Sequence, residues 1–197
     1  KEVNDMTTSI LLTGVGGQGT ILTSKILTAG LMEKGYDVKM SEIHGMSQRG
    51  GTVNTQIKYG EKVYAPNIGN GEADLIVAFE KVEALRALPY LKKGGMIVMD
   101  EREIYSMPVL TGAAEYPHNA HEVLKEAVEN VIVLPASKIA EEAGNIKAQN
   151  ICLLGALVGV LKLDDIDWKR IITEQVPAKF LEVNLKAFEA GHNLQIS

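Results

Sequence analysis

Cysteine is almost missing from this chain, since its 197 residues include only Cys152. A single thiol allows no disulfide within the chain, no four-thiolate zinc site and no iron–sulfur cluster held by this chain alone. The pair His118 and His121 lacks an evident third ligand, so a surface pair is favoured over a metal site. We therefore predict no metal in this chain and expect any redox metal to belong to another polypeptide.

Basic residues are outnumbered, because 20 lysines and arginines stand against 25 acidic residues, for a formal net charge of −5. The basic residues are scattered along the chain and form no cluster that would hold a nucleic-acid backbone or an anionic lipid surface. We expect neither nucleic acid nor a membrane among the partners.

Long hydrophobic runs are missing too. The longest apolar-rich stretch, residues 151–163, is shorter than the roughly 20 residues that cross a bilayer, and it contains Lys162. This stretch is typical of a buried helix. Residues 1–9 are polar and lack the apolar core of a secretion signal. We expect a cytoplasmic protein whose residues 1–8 are flexible.

The first forty residues predict a strand, a helix and a second strand. An apolar run at residues 9–13 leads into a group of glycines, and apolar residues then recur at helical spacing as far as Leu31. Gly35 ends this helix, and residues 36–40 supply the second strand. Strands that are joined through a helix in this way predict a parallel sheet.

The remainder of the chain extends this α/β pattern. β-branched or aromatic residues alternate with polar ones at residues 52–59, and residues 62–65 follow a turn at Gly60, which predicts an inserted hairpin. Further strands are predicted at 74–79, 96–99 and 131–134, and helices at 81–91, 137–143, 148–161, 168–174 and 179–190. The hydrophobic fraction of 46% is enough for one core. The predicted fold is a single Rossmann-like α/β domain over residues 1–197, with a mainly parallel sheet, an inserted β-hairpin and a helical C-terminal third.

Two smaller features have structural interpretations. Cys152 lies on the apolar face of a predicted helix, which favours a core position over a nucleophile. Asp164 and Asp165 precede the helix at residues 168–174 and are predicted to cap its N-terminus.

The glycines at positions 14, 16 and 19 form a G-x-G-x-x-G pattern between the first strand and the first helix. Without β-carbons the backbone can turn tightly, so that a phosphate can reach the amides and the positive end of the helix. Gln18 adds a side-chain amide. The predicted anion contacts, for example to a nucleotide phosphate, are Gly14, Gly16, Gly17, Gln18 and Gly19. Close packing of the helix on the sheet is the alternative explanation of the glycines.

Residues 41–51 are rich in polar side chains and glycines without a helical or alternating pattern, which predicts a loop after the second strand. Its candidate functional residues are Glu42, His44 and Arg49. Arg49 is a fixed cation suited to a carboxylate or phosphate, and His44 can exchange protons near neutrality. Because the carboxyl ends of parallel strands share one edge, this loop should lie beside the glycine turn. We favour docking on a partner and a contribution to a shared active site over a loop that satisfies only itself.

Glu42 also supports a different function. An ordinary dinucleotide site places an acidic residue at the end of the second strand, and Glu42 lies close to that position. A free-standing NAD(P)-binding oxidoreductase is therefore one alternative, and a non-catalytic assembly subunit is another.

These two segments together carry a family resemblance. The run Gly-Val-Gly-Gly-Gln-Gly at residues 14–19 and the run Ser-Glu-Ile-His-Gly-Met-Ser-Gln-Arg-Gly-Gly at residues 41–51 closely resemble the gamma-type domain of 2-oxoacid:ferredoxin oxidoreductases. The form His-Gly-Met-Ser-Gln-Arg-Gly-Gly is similar to the small subunits of the indolepyruvate branch. The resemblance continues through residues 73–80, Asn150 with 154–157, and 176–177 with 184–191, and so covers nearly the whole chain.

The resemblance implies oxidative decarboxylation of an aryl 2-oxoacid such as indole-3-pyruvate, with coenzyme A as acyl acceptor and ferredoxin as electron acceptor. It places thiamine diphosphate, magnesium and the 4Fe–4S clusters in a partner alpha subunit, so that this chain is expected to be inactive alone. The phosphate expected at the glycine turn is then one of coenzyme A or of a nucleotide. Glu42, His44 and Arg49 are expected, from the composition of their loop, in a shared site or at a subunit interface.

Overall fold

The computed structural model describes residues 7–44 and 51–194, which form one six-stranded sheet with helices on both faces. The strands are β1 (Thr8–Val15), β2 (Asp37–His44), β3 (Thr52–Gly60), β4 (Ala73–Ala78), β5 (Leu91–Asp100) and β6 (Asn130–Leu134). Their order across the sheet is β2-β3-β1-β4-β5-β6. β3 is antiparallel to both of its neighbours, whereas β1, β4, β5 and β6 pair in parallel. The predicted α/β fold with a mainly parallel sheet is confirmed.

Helices cover two apolar cores, one on each face of the sheet. The helices are α1 (Thr20–Glu33), α2 (Lys81–Ala87), α3 (Met107–Leu110), α4 (Ala120–Ala127), α5 (Ala136–Glu142), α6 (Gln149–Leu161), α7 (Trp168–Gln175) and α8 (Leu181–His192). The larger core lies under α1, α5, α6, α7 and α8, and the smaller one under α2 and α4. Because successive strand residues point to opposite faces, Ile10 and Leu12 enter the larger core and Leu11 enters the smaller one.

Glycines allow the two longest C-terminal helices to touch backbone to backbone. A β-carbon on Gly191 of α8 would lie 1.9 Å from the carbonyl oxygen of Cys152 in α6, and one on Gly155 of α6 would lie 2.2 Å from that of Phe188. No side chain fits into such gaps, so this helix pair depends on glycine at both positions. Cys152 is fully buried there, which confirms its predicted core position.

The inserted antiparallel strand is present, but the predicted hairpin partner is wrong. β3 pairs with β2 and β1, and residues 62–65 form no strand. One amide of that segment, from Val63, instead donates a 2.9 Å hydrogen bond to the carboxylate of Asp37. Ile57 and Tyr59 enter the larger core from β3, so burial favours a position between two strands over one in a free hairpin. The predicted loop at 41–51 is also shorter than expected, because β2 continues to His44.

The predicted helix end and the predicted start of the next strand are both wrong between α2 and β5. The helix predicted at residues 81–91 ends at Ala87, and a 3-10 turn (Leu88–Tyr90) follows it. Pro89 explains this, because its ring and its missing N–H oppose an α-helix. Gly94 and Gly95, predicted to stop the helix, lie inside β5, where Gly94 has a φ of +77° at an irregularity of the β4–β5 register.

The predicted cap of α7 is wrong by two residues. Asp167 caps the helix, because its carboxylate accepts a 3.1 Å hydrogen bond from the amide of Arg170. Asp165 instead pairs with Lys34, the C-cap of α1, at 2.8 Å. Helix α4 was not predicted at all.

The described structure begins at residue 7. Of residues 1–8, expected to be flexible, 1–6 lie outside the described residues and Thr8 is the first residue of β1. Among the helices of the described ranges, none combines the length and the apolar character that a membrane crossing requires.

Candidate functional site

The carboxyl ends of β1 and β4 form a topological switch point. From β1 the chain passes through α1 to β2 on one side of the sheet, and it later enters β4 on the other side of β1. Open α/β sheets bind ligands in the crevice that this reversal creates. The glycine turn after β1 and the residues that follow β4 both lie at this edge, so we call it the switch-point edge.

Two glycines of the turn have backbone angles that other residues rarely adopt. Gly17 has a φ of +95°, and Gly19, the N-cap of α1, has a φ of +82°. A β-carbon on Gly19 would also lie 2.5 Å from the Nδ2 atom of Asn150, whereas one on Gly17 would meet open space. Gly19 is therefore required both by its conformation and by the close approach of α6.

Gln18 is turned inward and closes the turn on itself. Its Oε1 atom accepts a 2.7 Å hydrogen bond from the amide of Val15, and its Nε2 atom donates one of 2.7 Å to the carbonyl oxygen of Phe79. Gln149, at the start of α6, donates a second 2.7 Å hydrogen bond to the same carbonyl. Gln18 thus joins the ends of β1 and β4, and its contact with a bound phosphate stays a prediction.

Two backbone amides of the turn could contact an anion. Within the described residues, the structure records no acceptor for the amides of Gly17 and Gly19. The helix that follows has 14 residues, and its N-terminus adds a partial positive charge. The amide of Gly16 donates a 3.1 Å hydrogen bond to the carbonyl of Gly51. This bond brings the end of segment 41–51 beside the glycine turn, as the topology predicts.

The three candidate residues of segment 41–51 are only partly described. Glu42 and His44 lie on β2, opposite Thr55 and Val53 of β3. Arg49 and the side chain of His44 lie outside the described residues. Because β3 separates β2 from β1, Glu42 is one strand farther from the glycine turn than the acid of an ordinary dinucleotide site, a shift of about 4.8 Å.

Glu80, which follows β4 directly, is a buried carboxylate that was not predicted. It caps α2 by accepting hydrogen bonds from the amides of Val82 at 2.8 Å and Glu83 at 3.0 Å. It also accepts from the amide of Ile104 at 3.2 Å and from the hydroxyl of Tyr116. These donors explain how it can be 1% exposed. Its position between an apolar strand and a helix is the sequence signal that could have identified it.

Two further buried groups, one at the end of β5 and one in α6, have shifted pKa values. Burial raises the pKa of Asp100, at the end of β5, to about 6, although hydrogen bonds from the amide and hydroxyl of Ser137 oppose the shift. Burial also raises the pKa of the Cys152 thiol to about 12. Cys152 therefore stays protonated at neutral pH and is not a nucleophile.

The sequence matches a known family over almost its whole length, since residues 9–194 fit the family of pyruvate ferredoxin/flavodoxin oxidoreductases. This chain belongs to that oxidoreductase family. A curated relative, indolepyruvate oxidoreductase subunit IorB of Thermococcus kodakarensis, is 40% identical over an alignment of 190 residues, and the match covers 93% of each chain.

Solved structures of oxoacid oxidoreductases share the fold of this family member. The gamma subunit of a keto/oxoacid ferredoxin oxidoreductase from Geobacter sulfurreducens superposes with a TM-score of 0.69 at 21% identity, over 94% of each chain. A 2-oxoglutarate:ferredoxin oxidoreductase from Magnetococcus marinus, solved with 2-oxoglutarate, coenzyme A and succinyl-CoA bound, gives 0.72 at 21% identity. That match covers 94% of this chain and 30% of the other, so there the fold is one part of a longer polypeptide.

Proposed function

We propose that this chain is the small subunit of a heteromeric indolepyruvate-type 2-oxoacid:ferredoxin oxidoreductase located in the cytoplasm. The complete enzyme decarboxylates an aryl 2-oxoacid oxidatively, transfers the acyl group to coenzyme A and passes electrons to ferredoxin. The observation that carries the proposal is the 40% identity to an indolepyruvate oxidoreductase subunit along 93% of both chains. At this level of identity and coverage, the two chains are expected to do the same work in their complexes.

The redox cofactors of such an enzyme do not fit this chain. A 4Fe–4S cluster needs cysteine thiolates, and the lone Cys152 is buried where α6 meets α8. Within residues 7–44 and 51–194, no three His, Cys, Asp or Glu side chains are grouped so that they could hold a metal ion. We therefore assign thiamine diphosphate, magnesium and the clusters to a partner alpha subunit, and no step of the reaction to this chain alone.

The glycine turn is the proposed contact with coenzyme A. The amides of Gly17 and Gly19 and the positive end of α1 offer what a phosphate needs, and a structural neighbour was solved with coenzyme A bound. Glu42, His44 and Arg49 are proposed to face the alpha subunit beside this turn. The hydrogen bond from Gly16 to Gly51 supports that arrangement, because it holds the end of their segment against the turn.

A free-standing NAD(P)-binding enzyme is the weaker alternative. The intervening strand β3 displaces Glu42 from the position in which an acidic residue would bind the ribose of a dinucleotide. If the chain were a non-catalytic assembly subunit, the amides of the turn would have no ligand. The reconstitution experiment described next tests this alternative as well.

The decisive experiment combines the chain with the alpha subunit from the same organism. Ferredoxin reduction that depends on indole-3-pyruvate and coenzyme A should require both subunits, and iron and thiamine diphosphate should copurify with the alpha subunit only. Each subunit alone is the control. The proposal would be contradicted if the alpha subunit alone had full activity. It would also be contradicted if this chain bound NAD(P)H and the activity did not depend on coenzyme A.

A further inference from the structure

The 104–117 loop, which follows β5 and contains α3, forms most of a cavity of about 240 Å³ at the switch-point edge. Nine of the 14 residues that line this cavity belong to the loop. The others come from the ends of β1 and β4 and from α2, and they include Val15, Val82 and the buried Glu83. The cavity therefore exists only while the loop lies against α2.

The 104–117 loop is closed at its base and bonded within itself. The Oε2 atom of Glu103, just before the loop, lies 3.0 Å from the Nδ1 atom of His118, just after it. Inside the loop, the amide of Ala113 donates a 2.8 Å hydrogen bond to the carbonyl oxygen of Pro108. A surface segment of this length whose two ends meet is an Ω-loop, and such loops pack on their own residues. The loop can therefore move as one body.

A single carboxylate attaches this loop to the remainder of the protein. The Oε1 atom of Glu80 accepts a 3.2 Å hydrogen bond from the amide of Ile104 and another from the hydroxyl of Tyr116, so it takes one donor from each end of the loop. In residues 7–44 and 51–194, Glu80 is the only residue outside 103–120 that the structure shows hydrogen-bonded to the loop. Burial and the Glu80 carboxylate raise the pKa of Tyr116, so its hydroxyl remains a donor at neutral pH.

The loop gains little stability from burial. Of the described residues 104–117, only Tyr116 is buried, whereas Met107 and Leu110 are 67% and 64% exposed. Segments with few buried contacts open locally at a lower free energy than the core of a protein. The position of this loop therefore depends on the contact between Tyr116 and Glu80.

We propose that the 104–117 loop is a lid that opens and closes over the cavity as a unit, and that the hydrogen bond from Tyr116 to Glu80 holds it shut. An open lid exposes the end of β1 and the start of α2, so it controls the access of small molecules to this side of the switch-point edge. The lid is built from this chain alone and does not rest on the proposed function.

Amide hydrogen exchange, followed by NMR on the full chain, tests what holds the lid. Tyr116→Phe keeps the ring and removes the donor, so the amide of Ile104, which is bonded to Glu80, should exchange at least about tenfold faster. The amide of Ala113 is bonded inside the loop and should keep its rate. Tyr64→Phe, at a tyrosine that is 83% exposed, is the matched control and should change neither rate. An unchanged rate for Ile104, or an equal acceleration of Ala113, would overturn the proposal.

Glu80→Asp tests the acceptor separately. Aspartate keeps a carboxylate that can cap α2, but it is one methylene shorter and should lose Tyr116 and Ile104. We expect the same acceleration of the Ile104 amide as in Tyr116→Phe. If the variant folds and this amide keeps its wild-type rate, Glu80 does not hold the lid and the proposal fails. If it does not fold, the result for Tyr116→Phe decides alone.

Thiol labelling measures access to the cavity directly. The chain has one cysteine, Cys152, which is buried and whose pKa is raised to about 12, so it contributes no fast background. Val15→Cys places a thiol beneath the lid, and its reaction with iodoacetamide should be at least about tenfold faster when combined with Tyr116→Phe. Leu110→Cys, on the outside of the lid, should react equally fast in both backgrounds. Equal rates for Val15→Cys with and without Tyr116→Phe would overturn the gating, and Val82→Cys replaces Val15→Cys if that variant does not fold.

Discussion

Asn150 donates a 3.2 Å hydrogen bond from its side-chain amide to the carbonyl oxygen of Gly19. Gly19 is the N-cap of α1 and Asn150 lies in the first turn of α6, so this bond ties the starts of two helices together. Thr23 strengthens the junction, because its hydroxyl donates to the carbonyl of Asn150 at 3.2 Å. The glycine turn is therefore held by the C-terminal third of the chain as well as by its own sequence.

Replacing Gly19 by alanine should destabilise the protein more than the same change at Gly17. Both positions have positive φ, which costs alanine about 1–2 kcal/mol, but only Gly19 also meets a neighbour, the Nδ2 atom of Asn150 at 2.5 Å. We expect Gly19→Ala to lower the free energy of unfolding by about 2–4 kcal/mol and Gly17→Ala by about half as much. Urea denaturation measures both. Equal losses would mean that the contact with Asn150 contributes nothing.

Gln18 can be dissected into its acceptor and its donor. Gln18→Ala removes both hydrogen bonds and leaves the amide of Val15 without a partner, which should cost about 1–3 kcal/mol. Gln18→Glu keeps an acceptor for Val15 but faces the carbonyl of Phe79 with a carboxylate, so its stability should differ from that of the alanine variant. Lys25→Ala, at an exposed position of α1, is the control for a change in the same region. If Gln18→Ala unfolds at the wild-type denaturant concentration, the turn does not depend on this side chain.

Asp100 should make stability fall as the pH rises. Burial raises its pKa from 3.8 to about 6, so folding favours its protonated form. The associated stability is present below about pH 4 and is lost as the pH rises through 6. At one pKa unit per about 1.4 kcal/mol, the loss is on the order of 2–3 kcal/mol.

The variant Asp100→Asn cannot titrate and isolates this contribution. The difference in the free energy of unfolding between the wild type and Asp100→Asn should shift in favour of the variant between pH 4 and pH 7. Other carboxylates titrate in both proteins and cancel in the difference. A difference that stays constant, or that shifts toward the wild type, would contradict the raised pKa.

Arg49→Ala should impair the complete enzyme while leaving this domain folded. If the guanidinium pairs with a carboxylate or phosphate at the interface with the alpha subunit, turnover or subunit affinity should fall by at least about tenfold. Arg170→Ala is the matched control, because Arg170 pairs with Glu33 and Glu174 on the exposed face of α7. Wild-type turnover together with wild-type subunit affinity in Arg49→Ala would exclude this role.

Local signals were sufficient for the elements that surround the glycine turn. The strand, the turn and α1 follow from an apolar run, residues with no β-carbon and helical periodicity, all within 25 residues of one another. Gly35 ends α1 as predicted, with a φ of +92° and an amide that donates to the carbonyl of Met32. The buried helix α6 was evident because its residues are apolar on every side.

The candidate site was predicted only in part. Its place at the carboxyl edge of the sheet follows from topology, and the approach of Gly51 to Gly16 agrees with it. The buried carboxylates of Glu80 and Glu83 were missed, because their neighbours include Tyr116, Ile104 and Thr52, which are distant in sequence. No local pattern reports which distant donor reaches a carboxylate.

The sequence by itself determined that this chain is an α/β domain with a glycine turn between its first strand and first helix, because these features depend on neighbouring residues. Tertiary structure alone decided that β3 enters the sheet between β1 and β2, that Gln18 points inward to Phe79, and that the cavity beside Glu83 exists. The physical reason is that strand pairing, burial and hydrogen-bond partners are chosen by competition among distant segments for the same core and the same donors.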